Sequence, residues 1–358
     1  MRVLVVAEQL RRPVPGGIGT YVRGLLHGFA GLDDSVAPDV TLWASRPPRI
    51  GSDPLSGLGP AVLTSSLPAP MLVRAWDRGV RRPPGCHDIV HATSFAVPPA
   101  GGAPLSVMVH DLAWRHFPDA YPPRGRRWHE AALARALKRA GLLIVPSATV
   151  ADDLLAAGAQ RSRVEVVEEG CDHLDPPDDA GVGALLEALG VTGGFLLTVS
   201  TLEPRKNLSR LLAAYDSVRD RLTPSLPLVV AGPAGWGPAL RPGPGVVLAG
   251  PVSGGVLTAL YSRARLMAYV PMREGFGLPV VEAMACGTPV VASGVPSAAG
   301  AALEVDPFDV DAIAEALVLG ATDEHRRAGL VAAGRARAAG LTWAQAARSH
   351  VELWAAIT

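Results

Sequence analysis

Lysine is almost missing from this chain: Lys138 and Lys206 are the only two among 358 residues, and arginine carries nearly all of the positive charge. With so few lysines, the position of each is informative. Net charge is missing as well, with 33 basic against 33 acidic residues, which argues against bulk nucleic-acid binding. Cysteine is scarce. Cys86, Cys171 and Cys286 are odd in number and widely spaced, so the reading is a reducing cytoplasm with no structural disulfide and no zinc site. No apolar run approaches the length of a bilayer span. Met1 leads straight into the strand-like run Arg2–Ala7, too short for a signal-peptide core. The expectation is a cytoplasmic protein, soluble or peripheral at the inner membrane face.

What is present describes a globular chain. Hydrophobic residues make up 49% and charged residues 18%, the balance of a folded protein rather than a disordered one. The length exceeds what one compact core usually takes, so two domains are expected. Short apolar runs alternate with helical patterns, the mark of parallel sheets wrapped by helices. In the first half the candidate strands are Val3–Ala7, Val40–Ala44, Ile89–His91, Leu105–Val109, Leu142–Pro146 and Val164–Glu169. In the second half they are Phe195–Ser200, Leu228–Ala231, Val246–Ala249, Leu266–Val270 and the run around Val290. Arg46 to Pro70, rich in Pro, Gly and Ser, reads as a long loop. The expected domains are 1–172 and 190–342, joined by a Pro/Asp/Gly-rich linker reaching about Ala180 and followed by a last helix over 343–358.

Four places carry chemistry. After the first strand and before a helix through about Ala30, Pro15-Gly16-Gly17-Ile18-Gly19-Thr20-Tyr21 reads as a loop whose backbone can approach a phosphate or sugar. Val22 stands where a dinucleotide fingerprint needs its third glycine. His110-Asp111 end a buried strand, at the edge where open α/β sheets place ligands; His91, at another strand end, reads as structural or acceptor-side. Arg205 and Lys206 precede a helix for which Asn207 is the expected N-cap. Cations are unfavourable at a helix start but suit a pyrophosphate there. The fourth place is Arg273-Glu-Gly-Phe-Gly-Leu-Pro-Val-Val-Glu282, a glycine-rich turn feeding a helix N-terminus, where free N–H groups favour an anion or sugar hydroxyls. Glu274 and Glu282 flank it with seven residues between them. Asp309-x-Asp311 imitates a metal pair but starts a helix, so capping is the better reading; no metal site is expected.

The Glu274-to-Glu282 string resembles the Glu-x7-Glu signature of retaining nucleotide-sugar glycosyltransferases of family four, and further matches run from Gly16 to Trp343. That resemblance implies the GT-B fold: two Rossmann-like doubly wound α/β domains facing across a cleft, with a C-terminal helix crossing back to the N-terminal domain. It also implies a nucleotide-diphosphate sugar as donor and no other cofactor. His110 then reaches the donor sugar, with Asp111 beside it. Arg205 and Lys206 take the donor phosphates, and Glu274 holds sugar hydroxyls. Glu282 takes the ribose, and Gly16, Gly17, Phe276, Gly277 and Leu278 line the substrate. Phe117-Pro118-x-x-Tyr121-Pro122-Pro123 leans towards GDP-mannose, with a glycan, a lipid-linked or a small-molecule acceptor. Pro122–Arg139 reads as a basic amphipathic helix, an ordinary solvated face in preference to a membrane-surface patch. Gly294–Gly300 is shorter than the family's segment and puts the pocket floor in question. A GT-B nucleotide-sugar epimerase and a catalytically silent carbohydrate-binding partner are the other readings.

Overall fold

The computed structural model describes every residue except Arg49, Thr223 and Pro238, and element counts refer to the described residues. The chain divides into two compact units, Met1–Gly170 with Thr342–Thr358, and Cys171–Leu341.

In the first unit the strands are β1 (Arg2–Val6), β2 (Asp39–Ala44), β3 (Ala61–Thr64), β4 (Ile89–Ala92), β5 (Leu105–Met108), β6 (Leu142–Val145) and β7 (Val164–Val166). They form one parallel sheet in the order β3-β2-β1-β4-β5-β6-β7. Its helices are α1 (Gly16–Ala30), α2 (Ala69–Asp77), the short α3 (Ala113–His116), α4 (Pro123–Arg139) and α5 (Ala148–Ala156). Leu72, Val73 and Trp76 of α2 and Ala132, Leu133 and Ala136 of α4 share one buried cluster with the sheet. The strand order reverses between β1 and β4, which makes the carboxyl ends there the natural ligand edge.

Two expectations need correction here. The stretch expected as a long loop, 46–70, contains β3 and the first two residues of α2. The Pro15–Tyr21 run is also less of a loop than expected, since the helix already starts at Gly16.

The second unit holds β8 (Leu196–Val199), β9 (Leu228–Ala231), β10 (Val246–Gly250), β11 (Leu266–Tyr269), β12 (Val290–Ala292) and β13 (Leu303–Glu304). Their order is β10-β9-β8-β11-β12-β13, parallel throughout. The helices are α6 (Asp179–Ala188), α7 (Leu208–Val218), α8 (Gly254–Arg263), α9 (Leu278–Ala285), α10 (Val310–Thr322) and α11 (Glu324–Ala339). Asp309 caps α10 by accepting from the Ala312 N–H at 2.9 Å. The segment expected as linker belongs to this unit: the Asp178 N–H donates to the Gly255 carbonyl at 3.0 Å.

The last helix, α12 (Trp343–Ala355), packs against α1 in the first unit. Small residues make the approach close. A Cβ on Gly24 would lie 2.0 Å from the Trp343 ring, and one on Gly28 2.1 Å from the Trp343 carbonyl oxygen. A buried polar chain fixes the helix further. His350 Nδ1–H donates to the Ala346 carbonyl at 2.8 Å, so its Nε2 must accept from the Tyr21 hydroxyl at 2.8 Å. The Tyr21 oxygen then accepts from His91 Nε2–H at 2.9 Å. His91 Nδ1 in turn accepts from the Ser106 hydroxyl at 3.0 Å. His91 is therefore structural.

Candidate active site

In the second unit, β8 and β11 are neighbours at the point where strand order reverses, and the loops beyond them carry the cations and the carboxylate. Pro204–Lys206 form a 3-10 turn of their own, and Asn207 follows with φ 60°. Asn207 does not cap α7. Its amide donates instead to the carbonyls of Val270 at 2.9 Å and Pro307 at 2.7 Å, because the left-handed backbone aims the side chain at the neighbouring loop. The Met272 N–H donates to the Arg205 carbonyl at 2.9 Å, so the two loops are joined by main chain as well.

On this frame Arg205 Nη1 donates to Glu274 Oε1 at 2.7 Å and to the Arg273 carbonyl at 3.0 Å. Its Nη2 donates to Glu203 Oε1 at 3.0 Å. Lys206 Nζ donates to Glu274 Oε1 at 2.5 Å and to the Tyr269 hydroxyl at 2.8 Å. The cations expected to sit unfavourably at a helix start are thus offset by two carboxylates. Burial alone would push the Glu274 carboxyl up, but the charges of Arg205 and Lys206 outweigh it and hold the group at about 2. The cluster has an ionised carboxylate, two cations and side chains only about a tenth exposed, which suits a charged ligand at low dielectric.

The turn after Glu274 is shaped by Gly277, whose φ of 98° disfavours a side chain; a Cβ there would meet Val295 Cγ1 at 2.2 Å. Ser297 anchors the same turn, its N–H donating to the Phe276 carbonyl at 3.0 Å and its hydroxyl to the Gly277 carbonyl at 2.9 Å. The short 294–300 segment therefore forms the floor directly beneath the turn. Phe276 and Leu278 are buried, so a ligand would meet their main chain. Pro279 lies in the first turn of α9, where its missing N–H costs nothing.

Glu282 is one turn into α9 and buried. Its Oε2 accepts from the Tyr261 hydroxyl at 2.8 Å, and its Oε1 from His173 Nε2–H at 3.2 Å. Each carboxylate oxygen accepts two hydrogen bonds, so one further donor can approach each.

In the first unit, His110 Nε2–H donates to the Thr93 carbonyl at 2.9 Å, while Nδ1 faces Glu169 Oε1 at 3.4 Å. Tyr21 meets the ring edge-on, with centroids 5.0 Å apart. Asp111 turns back to accept from the Ala113 N–H at 3.0 Å. Gly16 and Gly17 are exposed at the start of α1, with nothing within 4 Å of a Cβ on either. The structure thus gathers Arg205, Lys206 and Glu274 in one network and places Glu282 eight residues on, in the helix that follows the same turn. It shows His110 and Asp111 committed to local partners. Glu203, Tyr269, Tyr261, His173 and Glu169 were not foreseen. Among the described residues no group of three or more His, Cys, Asp or Glu side chains is placed to hold a metal ion.

The family model for glycosyl transferases group 1 matches residues 188–337, and the model for Glycosyltransferase Family 4 matches residues 15–173. O-antigen chain mannosyltransferase B of Escherichia coli is 30% identical, covering 71% of this chain and 71% of its own length. D-inositol 3-phosphate glycosyltransferase of Salinispora arenicola (strain CNS-205) is also 30% identical, over 95% of this chain and 87% of its own. Among solved structures, Anabaena HepE in complex with UDP and glucose superposes with a TM-score of 0.72 at 17% identity, covering 99% of this chain and all of that one. Sucrose-phosphate synthase from Thermosynechococcus elongatus gives a TM-score of 0.73 at 19% identity over 100% of this chain and 99% of that chain. Sequence and fold agree: the chain belongs to the group 1 glycosyltransferases, with their GT-B fold of two parallel-sheet α/β domains.

Proposed function

We propose that this glycosyltransferase moves a hexose from a nucleotide-diphosphate sugar, with GDP-mannose as the first candidate, to a glycan, lipid-linked or small-molecule acceptor with retention of configuration. The observation that carries the reading is the convergence of Arg205 and Lys206 on Glu274. Breaking the anomeric bond loads negative charge onto the leaving diphosphate, and stabilising that charge is the main catalytic demand. Arg205, Lys206 and the N-terminus of α9 supply positive charge for it, so the chemical step is expected to run without a divalent ion. Glu274 takes sugar hydroxyls and Glu282 the ribose; His110 is assigned to the sugar by its match to the family pattern. The E. coli relative's name, a mannosyltransferase, supports mannose. The test is a panel of nucleotide sugars scored for transfer with and without a chelator. Transfer from GDP-mannose with the anomeric configuration kept, undiminished by chelator, is expected. Turnover abolished by chelator and restored by magnesium would remove the metal-independent step, and conversion of donor without acceptor would point to an epimerase.

The reading extends to a peripheral contact at the inner membrane face. Segments 69–82 and 123–139 hold ten basic and two acidic residues in a chain of zero net charge. Asp77 is engaged by Arg135 and Trp128, and Glu130 by Arg115 and Trp114. Arg74, Arg78, Arg81, Arg82, Arg124, Arg127 and Lys138 are exposed, beside Met71 at 57% and Val80 at 53% exposure. Cations around exposed apolar side chains suit an anionic lipid surface. Among the described residues no helix is long and apolar enough to cross a membrane.

A further inference from the structure

Tyr269 closes β11 with 2% of its surface exposed, following Leu266, Met267 and Ala268. An apolar side chain would fill such a place; a tyrosine brings a hydroxyl that must find partners when buried. Here it has two. Lysine only donates, so the phenol oxygen accepts from Lys206 Nζ at 2.8 Å and its O–H donates to Glu274 Oε1 at 3.0 Å. Burial, and after it the Glu274 charge, pushes the phenol well above its usual range, so that proton stays in place. The ring also lies beside the ammonium, 5.3 Å from Nζ to the centroid.

Glu274 Oε1 thereby receives three donors, from Arg205, Lys206 and Tyr269. That is one more than two lone pairs hold well. Two of the three are cations, which a bound diphosphate would draw towards itself. We propose that Tyr269 is a positioning residue: it keeps the Glu274 carboxylate aimed while Arg205 and Lys206 turn to the diphosphate. The proposal rests on the reading of Glu274 as the sugar-binding carboxylate. Tyr269 is buried and acts through Glu274, linking the residue assigned to the sugar to one assigned to the phosphates.

The experiment is a cycle of Tyr269→Phe, Glu274→Gln and the double variant, with kcat, donor KM, nucleoside-diphosphate Kd and Tm measured for each. Phenylalanine keeps the ring and its packing. Tyr269→Phe is expected to lower kcat about tenfold, the scale of one hydrogen bond to a charged group, with diphosphate Kd within about twofold of wild type. Added to Glu274→Gln, it should lower kcat no further. Wild-type kcat in Tyr269→Phe overturns the proposal, with or without a fall in Tm. So does an equal loss in both backgrounds, which would mark the hydroxyl as structural. If Glu274→Gln itself leaves kcat intact, the assignment of Glu274 fails and the proposal falls with it. A crippled Glu274→Gln beside a silent Tyr269→Phe removes the proposal alone.

Discussion

Glu274 and Glu282 stand in the same short stretch with different neighbours, and kinetics should separate them. Glu274 is locked among cations, whereas Glu282 accepts from the Tyr261 hydroxyl and the His173 ring. Glu282→Gln should mainly raise donor KM and nucleoside-diphosphate Kd, because a ribose contact is similar in ground and transition states. Glu274→Gln should lower kcat more than it weakens diphosphate binding; a full donor titration of both variants checks the division, and reversed effects would exchange the roles. Lys206→Ala removes a charge-assisted hydrogen bond of about 1.5–3 kcal/mol, so kcat/KM should fall by about one to two orders of magnitude. Lys138→Ala, on the exposed face of α4, should leave activity on a soluble acceptor near wild type. The strings that hold Arg205, Lys206, Glu274 and Glu282 stand out in the sequence as compact runs of unusual residues, and the structure brings the first three together. Tyr269, Tyr261 and His173 do not stand out. Each looks ordinary where it stands: Tyr269 ends an apolar strand five residues before Glu274, and Tyr261 and His173 reach Glu282 from other elements.

The edges of the first sheet show the same limit among elements. Central strands such as β4 and β5 are buried along their whole length and read as apolar runs. β3 lies at the sheet's edge, only half-buried, inside a Pro- and Gly-rich segment, so no apolar run announces it. Two helices side by side also show what one cannot: α4 alone reads as a solvated basic face, but the exposed arginines of α2 and the turn after it extend that face. The wild-type protein should therefore co-sediment with phosphatidylglycerol-containing vesicles and not with phosphatidylcholine alone, and the bound fraction should fall with salt. The triple change Arg78→Glu, Arg81→Glu, Arg82→Glu should abolish binding without lowering kcat on a soluble acceptor; binding unchanged by the triple change would return the face to plain solvation. The α1–α12 contact leaves less latitude. Gly28→Ala puts a methyl against the Trp343 backbone, and a fall in stability of about 1–3 kcal/mol should appear in denaturant midpoints.

For the molecule as a whole, acid should act first on the unit that holds the buried histidines. Burial pushes His350 down to about 4, and it pushes His91 well below its usual value, with His350 and His110 adding to the effect on His91. An unfolded histidine titrates at about 6.5, so the unfolded chain takes up these protons first as the solution is acidified. The stability these rings give is complete above that pH and is lost as pH falls from about 6.5 towards 4. Glu8 works in the opposite sense, since burial raises its carboxyl. Glu274, held at about 2, loses its contribution only in stronger acid. Thermal scans should show Tm falling between pH 7 and pH 5, and a Tm flat across that range would contradict the neutral wiring of Tyr21, His91 and His350. The divided first unit has a consequence for synthesis as well. Cys171–Leu341 is one continuous stretch and can finish folding as it leaves the ribosome. The unit begun before it must wait, with the side of α1 that receives Trp343 uncovered, until the last helix is made. What is made before Cys171 is then completed only after Leu341, and while it waits its apolar flank is the stretch a chaperone would meet.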